Sequence, residues 1–300
     1  MSRIDLMGVD GSNPLGFLAA LGLLRVVPGA KLGFPADGSF RAFLDGVAKS
    51  DLAKVVVDDV SSAAGSARWR LTYTKAATKK QGPQEVADLK PPPDDFKKFL
   101  ATCIESWMTG SDEAVAYAAA YGTDVAVDGK GNTKPTAFHF TAAQQTFLGA
   151  VEDIRASVTH EWIETSLFEG HGKKPGSNLR WDPGAERNWA LMANNPGGDG
   201  TLVDAPLEWL AFRGLPLLPS FPRGTKIITT GVSGRGDDMT FTWPLWSVPA
   251  SLQTVRSALQ LDWNGAASER SARGVFAICS STIRRTSQGF GNFGPSSVMC

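Results

Sequence analysis

Residues 8–27 read GVDGSNPLGFLAALGLLRVV, and we interpret this stretch as the centre around which the chain folds. Ser12 or Asn13 can cap the free amides of a helix, and Pro14 suits the first helical position, where no N–H is needed. The next ten residues carry no charge, so the helix is apolar on every side and must be buried. Because a bilayer span needs roughly 20 apolar residues, burial inside protein is expected instead.

The charge balance excludes a strongly basic or acidic protein. The 300 residues include 30 Lys and Arg and 30 Asp and Glu, so no overall field attracts nucleic acid or a membrane surface. The distribution is uneven, however, because residues 213–300 carry nine basic and four acidic side chains. This local excess of positive charge favours contact between the C-terminal part and phosphate.

Cysteine usage and the N-terminus indicate the compartment. Cys103, Cys279 and Cys300 are far apart and have no C-x-x-C spacing, which is typical of a reducing environment. Asp5 and Asp10 precede the apolar run, where a signal peptide would have a basic flank. We therefore expect a cytoplasmic protein without membrane association.

Hydrophobic spacing predicts a mixture of helices and strands. We expect helices over residues 40–47, over residues 112–121 and from Pro206 to about Gly214. Two more helices should begin after caps at Asp94 and Thr141, and a helical segment should end at Gly170. The helix after Asp94 should bury residues 96, 99, 100, 103, 104 and 107. Strands are expected at residues 32–34, 68–73 and 274–283, with a hairpin between 227–230 and 239–243.

These elements predict an α+β fold, with mixed helices and antiparallel hairpins around a buried N-terminal helix, because strands and helices do not alternate regularly. The composition shifts towards Trp, Pro and Gly after residue 175. We expect a mainly helical N-terminal part at residues 1–175 and a mixed C-terminal part at 176–300, either as two domains or as one continuous domain.

Residues 289–294 read GFGNFG and match the G-x-G-x-x-G motif of dinucleotide-binding proteins. A proline and two serines follow where that motif requires a long helix, so the context excludes a dinucleotide cofactor. Arg284 and Arg285 precede Phe290 and Phe293, an arrangement in which guanidinium groups bind phosphate and aromatic rings stack on bases. The alternative is a glycine-rich turn with buried phenylalanines.

Other arginines of the C-terminal part extend this basic region. We expect the arginines to gather on one surface that contacts phosphate, with aromatic rings available for stacking on bases. The candidate nucleic-acid-binding residues are Arg256, Arg270, Arg273, Arg284, Arg285, Phe290 and Phe293, with Trp246 as a further stacking candidate.

A metal-dependent hydrolase or nuclease is an alternative function. His160 and Glu164 share a helix face and can join His171 in a metal site, but the second histidine of the H-E-x-x-H motif is absent. A solvated helix face explains the same residues. Divalent-metal nuclease chemistry can instead use Asp10, Asp237 and Asp238. A position in turns also explains these three aspartates. Since no nucleophile motif or P-loop is found, we assign no catalytic residue, metal ligand or cofactor.

Four segments carry a resemblance to a known family. They read DGSNPLGFLAALGLLR at residues 10–25, LRWDP at 179–183, LEWLA at 207–211 with LLP at 217–219, and FTWPLW at 241–246 leading to VR at 255–256. In this order they resemble segments of accessory and large-subunit-like proteins of type I-G (formerly I-U) CRISPR systems. The resemblance touches both halves of the chain.

The resemblance implies a non-enzymatic subunit or accessory factor of a type I CRISPR interference complex, which acts in antiviral defence. In a crRNA-guided complex base pairing reads the sequence, and protein reads backbone and shape. The implied partners are other effector subunits and crRNA or target DNA. Members of the family are not recognised by a catalytic signature, so no catalytic residue is carried over. A purely protein–protein interaction module is a third hypothesis.

Overall fold

A computed structural model describes residues 3–75, 82–141, 145–185, 202–263, 267–285 and 291–300. The helices are α1 (Pro14–Val26), α2 (Lys49–Ser62), α3 (Pro93–Met108), α4 (Glu113–Tyr121), α5 (Phe147–Ser157), α6 (His160–Glu164), α7 (Ala205–Gly214), α8 (Leu252–Ala258) and α9 (Ala267–Ala272). The strands are β1 (Ile4–Asp10), β2 (Lys31–Gly33), β3 (Arg41–Asp45), β4 (Thr72–Lys75), β5 (Gln84–Ala87), β6 (Gly122–Val127), β7 (Thr133–Pro135), β8 (Lys174–Pro175), β9 (Leu202–Val203), β10 (Ser220–Arg223), β11 (Lys226–Thr229), β12 (Val232–Ser233), β13 (Thr240–Trp246), β14 (Ala250–Ser251), β15 (Val275–Arg285) and β16 (Gly291–Met299).

Helix α1 is the buried centre of the fold, as the sequence predicts. The Asn13 side chain accepts a hydrogen bond from the Leu15 amide at 2.9 Å, which caps the first turn. All residues of α1 from its first residue to Leu24 are buried. Helix α1 packs closely against α7, because a Cβ atom on Gly22 would lie only 1.8 Å from the carbonyl oxygen of Leu210. Glycine at this crossing therefore allows the two backbones to touch.

Two four-stranded sheets meet the N-terminal stretch. Their strand orders are β1-β3-β2-β14 and β12-β13-β15-β16, and the pairings between the described strands are antiparallel. Phe17 of α1 packs 5.7 Å from the Trp243 ring, measured between centroids. The Trp243 Nε1 donates to the Gly11 carbonyl at 2.8 Å, and the Trp246 Nε1 donates to the Leu32 carbonyl at 2.7 Å. These bonds satisfy buried indole groups and confirm the predicted α+β arrangement around α1.

One hydrophobic cluster includes residues from both predicted parts of the chain. A buried ion network adds to it: the Arg213 guanidinium on α7 lies 2.9 Å from Asp59 Oδ1 and 2.8 Å from the Tyr117 hydroxyl. Glu113 forms a further ion pair with Arg213. Helices α2, α4 and α7 are thereby linked, and the boundary at residue 175 stays a prediction.

Residues 40–47 do not form the predicted helix. Arg41–Asp45 is strand β3, which pairs with β1 on one side and β2 on the other. Ala42, Phe43 and Leu44 are all buried. A strand covered on both faces has no alternating pattern, so its apolar residues resemble a helical face by chance.

Helix α5 begins later than the cap at Thr141 predicts. Its first residue is Phe147 and its N-cap is Thr146. The Phe147 amide donates to Asp88 Oδ1 at 3.1 Å, so a carboxylate from a distant segment satisfies a free amide of the first turn. That long-range partner has no local sequence signal.

The predicted hairpin between residues 227–230 and 239–243 is also wrong. Strand β11 pairs with β10, across a tight turn in which Gly224 has a φ of +62°. Strand β13 pairs instead with β12 and β15. In addition, the strand expected at residues 68–73 begins only at Thr72.

Helix α3 differs from the prediction in what it buries. Phe96, Phe99 and Cys103 face the core, whereas the Ile104 and Trp107 side chains are 50% and 59% exposed. The helix begins at Pro93, so Asp94 lies in its first turn and is not the predicted cap. The residue at the cap position makes no side-chain hydrogen bond. Among the described helices, none is both long and apolar enough to cross a bilayer.

Candidate nucleic-acid interface

A cleft of about 630 Å³ opens between β2, β14, α8 and the start of β15. The antiparallel pairing of β14 with β2 places Ser251 opposite Lys31 and so brings an N-terminal lysine to the C-terminal elements. The polar side chains that line this cleft are those of Lys31, Ser251, Thr254, Ser271 and Arg273. We call it the basic cleft.

The floor of the basic cleft is apolar. Trp246 and Trp263 line it and are only 5% and 6% exposed. Both indole N–H groups already have partners, because Trp246 donates to Leu32 and Trp263 donates to the Ala258 carbonyl at 3.0 Å. The floor is therefore held in place and offers no unpaired indole donor.

A second cavity of about 330 Å³ adjoins the basic cleft and shares Ser271, Gly274 and Val275 with it. Arg270, which is half-buried, lines this second cavity. Gly274 has a φ of +75°, a conformation that suits glycine, and it turns the chain from α9 into β15. The turn places Arg270 and Arg273, three residues apart, at the two neighbouring cavities.

The lining of the two cavities is positively charged. Lys31, Arg270 and Arg273 contribute to it, and no Asp or Glu side chain is among the described lining residues. Guanidinium and ammonium groups form strong charge-assisted hydrogen bonds with phosphate oxygens. The arrangement can therefore hold an anion beside an apolar surface.

The predicted arginines lie in two groups, not on one surface. Arg256 is exposed on α8 next to Val255, which lines the basic cleft. Arg284 and Arg285 lie at the opposite end of β15 from Arg273. At about 3.3 Å per residue, that strand separates the two groups by roughly 30 Å.

Arg285 is committed to contacts within the protein. Its Nη2 donates to the Ala137 carbonyl at 2.9 Å, and its guanidinium lies 5.5 Å from the centroid of the Phe140 ring. Burial lowers the pKa of this guanidinium from its ordinary value. Arg284 is exposed and lies against Gly294.

The predicted aromatic stacking needs correction. Phe293 is fully buried and packs against Phe138, Phe140 and Phe241, so its ring has no face open to a base. The alternative of buried phenylalanines therefore holds for Phe293. Phe290 lies outside the described residues.

A histidine–aspartate pair lies near Arg285. His139 is 2% exposed, and its Nε2 lies 3.0 Å from Asp88 Oδ1. Burial lowers the pKa of His139, although the hydrogen bond with Asp88 opposes that shift. Because Asp88 also accepts from the first amide of α5, we interpret the pair as a structural link between these segments.

The residues of the metal hypothesis do not form a site in the described part of the chain. His160 Nδ1 and Glu164 Oε2 are 3.7 Å apart, and both side chains are more than half exposed. Asp10 Oδ1 accepts from the amide and the hydroxyl of Ser12, which explains this carboxylate as part of a turn. Among the described residues, no three His, Cys, Asp or Glu side chains are placed to hold a metal. The Asp237 side chain lies outside that part.

No protein-family model, curated protein or solved structure matches the chain. Sequence reasoning selected Arg270 and Arg273 but missed Lys31, which only the β2–β14 pairing brings to the cleft. A lysine in a short N-terminal strand gives no local signal of that contact.

Proposed function

We propose that this chain is a non-enzymatic subunit or accessory factor of a type I CRISPR interference complex and that its basic cleft contacts the nucleic-acid backbone. The convergence of Lys31, Arg270 and Arg273 on cavities without an Asp or Glu side chain among the described lining carries this proposal. Phosphates are the anions that every nucleic acid presents, and Lys and Arg neutralise them with release of counterions. The neutral overall charge favours a local contact rather than a long wrapped path.

The CRISPR part of the proposal rests on the resemblance of four segments, and three of their contacts show that these segments lie together in the fold. The Asn13 Nδ2 donates to Asp182 Oδ1 at 3.0 Å, and the Leu179 amide donates to Glu208 Oε2 at 3.2 Å. Trp243 joins the fourth segment to Gly11 in the first. Segments that are distant in sequence therefore pack together around α1 in this chain.

Under this proposal the partners are other effector subunits together with crRNA or target DNA, and the complex works in the cytoplasm in antiviral defence. In such a complex the chain holds backbone phosphate while base pairing supplies the sequence specificity. The CRISPR assignment is tested by the genes beside this one. Neighbouring type I-G effector genes are expected, and a locus without CRISPR genes contradicts the assignment.

The backbone contact is tested by fluorescence anisotropy with crRNA-like RNA and with single-stranded DNA at about 50 mM and 200 mM salt. We expect binding that weakens with salt and that falls further in the double variant Arg270→Ala, Arg273→Ala. The double variant Arg223→Ala, Arg235→Ala is the matched control, since both arginines are exposed and neither is among the described lining residues of the two cavities. Absence of salt-dependent binding contradicts the proposal, as does an equal loss in the control variant.

A further inference from the structure

We infer that the basic cleft binds one nucleotide unit of a single strand, with the base on the apolar floor and its phosphate at the cationic rim, and excludes a duplex. This inference rests on the proposed backbone contact and adds the class of nucleic acid. It also differs from a phosphate contact alone, because it requires the base to enter the protein.

The size of the cleft suits one nucleotide. Its volume of about 630 Å³ lies within the range of about 300–1,000 Å³ that is typical of small-ligand pockets. A cube of that volume has an edge of about 9 Å, whereas the major groove of a B-form duplex alone is about 12 Å wide. A paired and stacked base cannot leave its duplex without a cost of a few kcal/mol, so a single strand enters more readily.

The chemistry of the floor suits a base without selecting its identity. Ala258 is half-buried and presents apolar surface to the cleft, the buried Val255 and Trp263 support it from below, and Val248 extends it at the rim, where this residue is 65% exposed. Both indole donors are already bonded within the protein. Every base has a flat apolar face, so such a floor is tolerant of sequence.

The cations lie along both cavities. Lys31 and Arg273 line the larger cavity, and Arg270 lines the smaller one beside it. Ser271, Gly274 and Val275 line both cavities, so the two adjoin at this turn. A strand whose base occupies the floor can thus continue past this glycine towards Arg270.

A competition experiment tests the inference with the full chain. A fluorescein-labelled single-stranded RNA is bound, and three unlabelled competitors are added: the same strand, its duplex, and uridine monophosphate. We expect the duplex to compete at least tenfold more weakly than the strand. The mononucleotide should compete at high concentration, because it supplies one base and one phosphate. Failure of the mononucleotide to compete, or equal competition by the duplex, overturns the inference.

A matched pair of variants locates the contact. Val248→Asp puts a carboxylate at the rim of the cleft, and Val125→Asp makes the same change at a valine that is 60% exposed outside the cleft lining. Both sites are exposed, so both variants are expected to fold. We expect at least a tenfold loss of strand binding for Val248→Asp alone, and equal effects overturn the inference.

These outcomes also separate the inference from the proposed function. If the wild-type protein binds no nucleic acid at all, the proposed backbone contact is wrong, and the inference falls with it. If binding is salt-dependent, is weakened by the Arg270 and Arg273 replacements, and is blocked equally by strand and duplex, the backbone contact stands. In that case only the single-nucleotide site is wrong.

Discussion

Replacement of Glu208 by Gln tests how the centre of the fold holds a buried acid. Glu208 lies on α7 and is 1% exposed. Burial is the largest cause that raises the pKa of its carboxyl from 4.5 to about 8. The nearby Asp182 and Asp204 act in the same direction, and the amide of Leu179 opposes them. Glu208 is therefore mainly protonated in the folded protein at pH 7.

The sign of the pH dependence follows from where the proton is bound. Between about pH 4.5 and pH 8 the folded state keeps this proton, whereas the unfolded chain loses it. The free energy of unfolding therefore falls as the pH rises through this window. Each pH unit in the middle of the window corresponds to about 1.4 kcal/mol, so the change from pH 5 to pH 7 is on the order of 3 kcal/mol.

Urea unfolding of the wild type and of Glu208→Gln at pH 5, 6 and 7 measures this contribution. Glutamine keeps the size of the neutral acid but cannot ionise, so the variant should lose this part of the pH dependence. Relative to the variant, the wild type should lose about 3 kcal/mol of stability between pH 5 and pH 7. A difference that is constant over this range refutes the reasoning.

Glu113→Gln is the control with the opposite sign. Burial raises the pKa of Glu113, but the charges and hydrogen bonds of Arg213, Arg68 and Arg25 together outweigh burial, and the net shift is downward. The stabilisation is thus present above the ordinary carboxyl pKa and is lost as the pH falls through the folded value. The cost of Glu113→Gln should be largest at neutral pH and should shrink in acid.

Two further changes test packing and the buried ion network. Gly22→Ala should lower stability by about 1–3 kcal/mol, because its Cβ would meet the Leu210 carbonyl. The control is Gly129→Ala, where nothing lies within 4 Å of the new Cβ. Thermal unfolding compares the two variants, and equal melting temperatures contradict the prediction. Arg213→Met should cost about 3–5 kcal/mol in urea unfolding, since the carboxyl groups of Asp59 and Glu113 lose their buried cation, and a cost below 1 kcal/mol contradicts the role of the network.

The N-terminal helix could be predicted because its signals are local. A capping Asn13, a proline at the first helical position and an uninterrupted apolar run specify the start and the burial of α1 within a few residues. Helix α7 can be predicted for the same reason, because Asp204 and Pro206 precede an apolar segment. In the structure the Asp204 side chain accepts from the Leu207 amide at 3.2 Å.

Features that depend on long-range pairing could not be predicted. Strand β3 has its neighbours on both sides and is buried on both faces, so its sequence lacks the alternation of a strand. The basic cleft has the same origin, since Lys31 joins Arg273 in the cleft lining only through the β2–β14 pairing. The clustering of arginines in sequence is misleading, because Arg273 precedes the eleven-residue strand β15 and Arg284 lies near its far end.

The salt dependence of RNA binding tests the central claim most directly. Affinity for a single-stranded RNA is measured over a series of salt concentrations for the wild type and for the triple variant Lys31→Ala, Arg270→Ala, Arg273→Ala. Each phosphate contact on a single strand contributes about 0.7 to the slope of log affinity against log salt. Loss of three contacts should therefore reduce the slope by about 2, and parallel lines for the two proteins contradict a phosphate contact in the basic cleft.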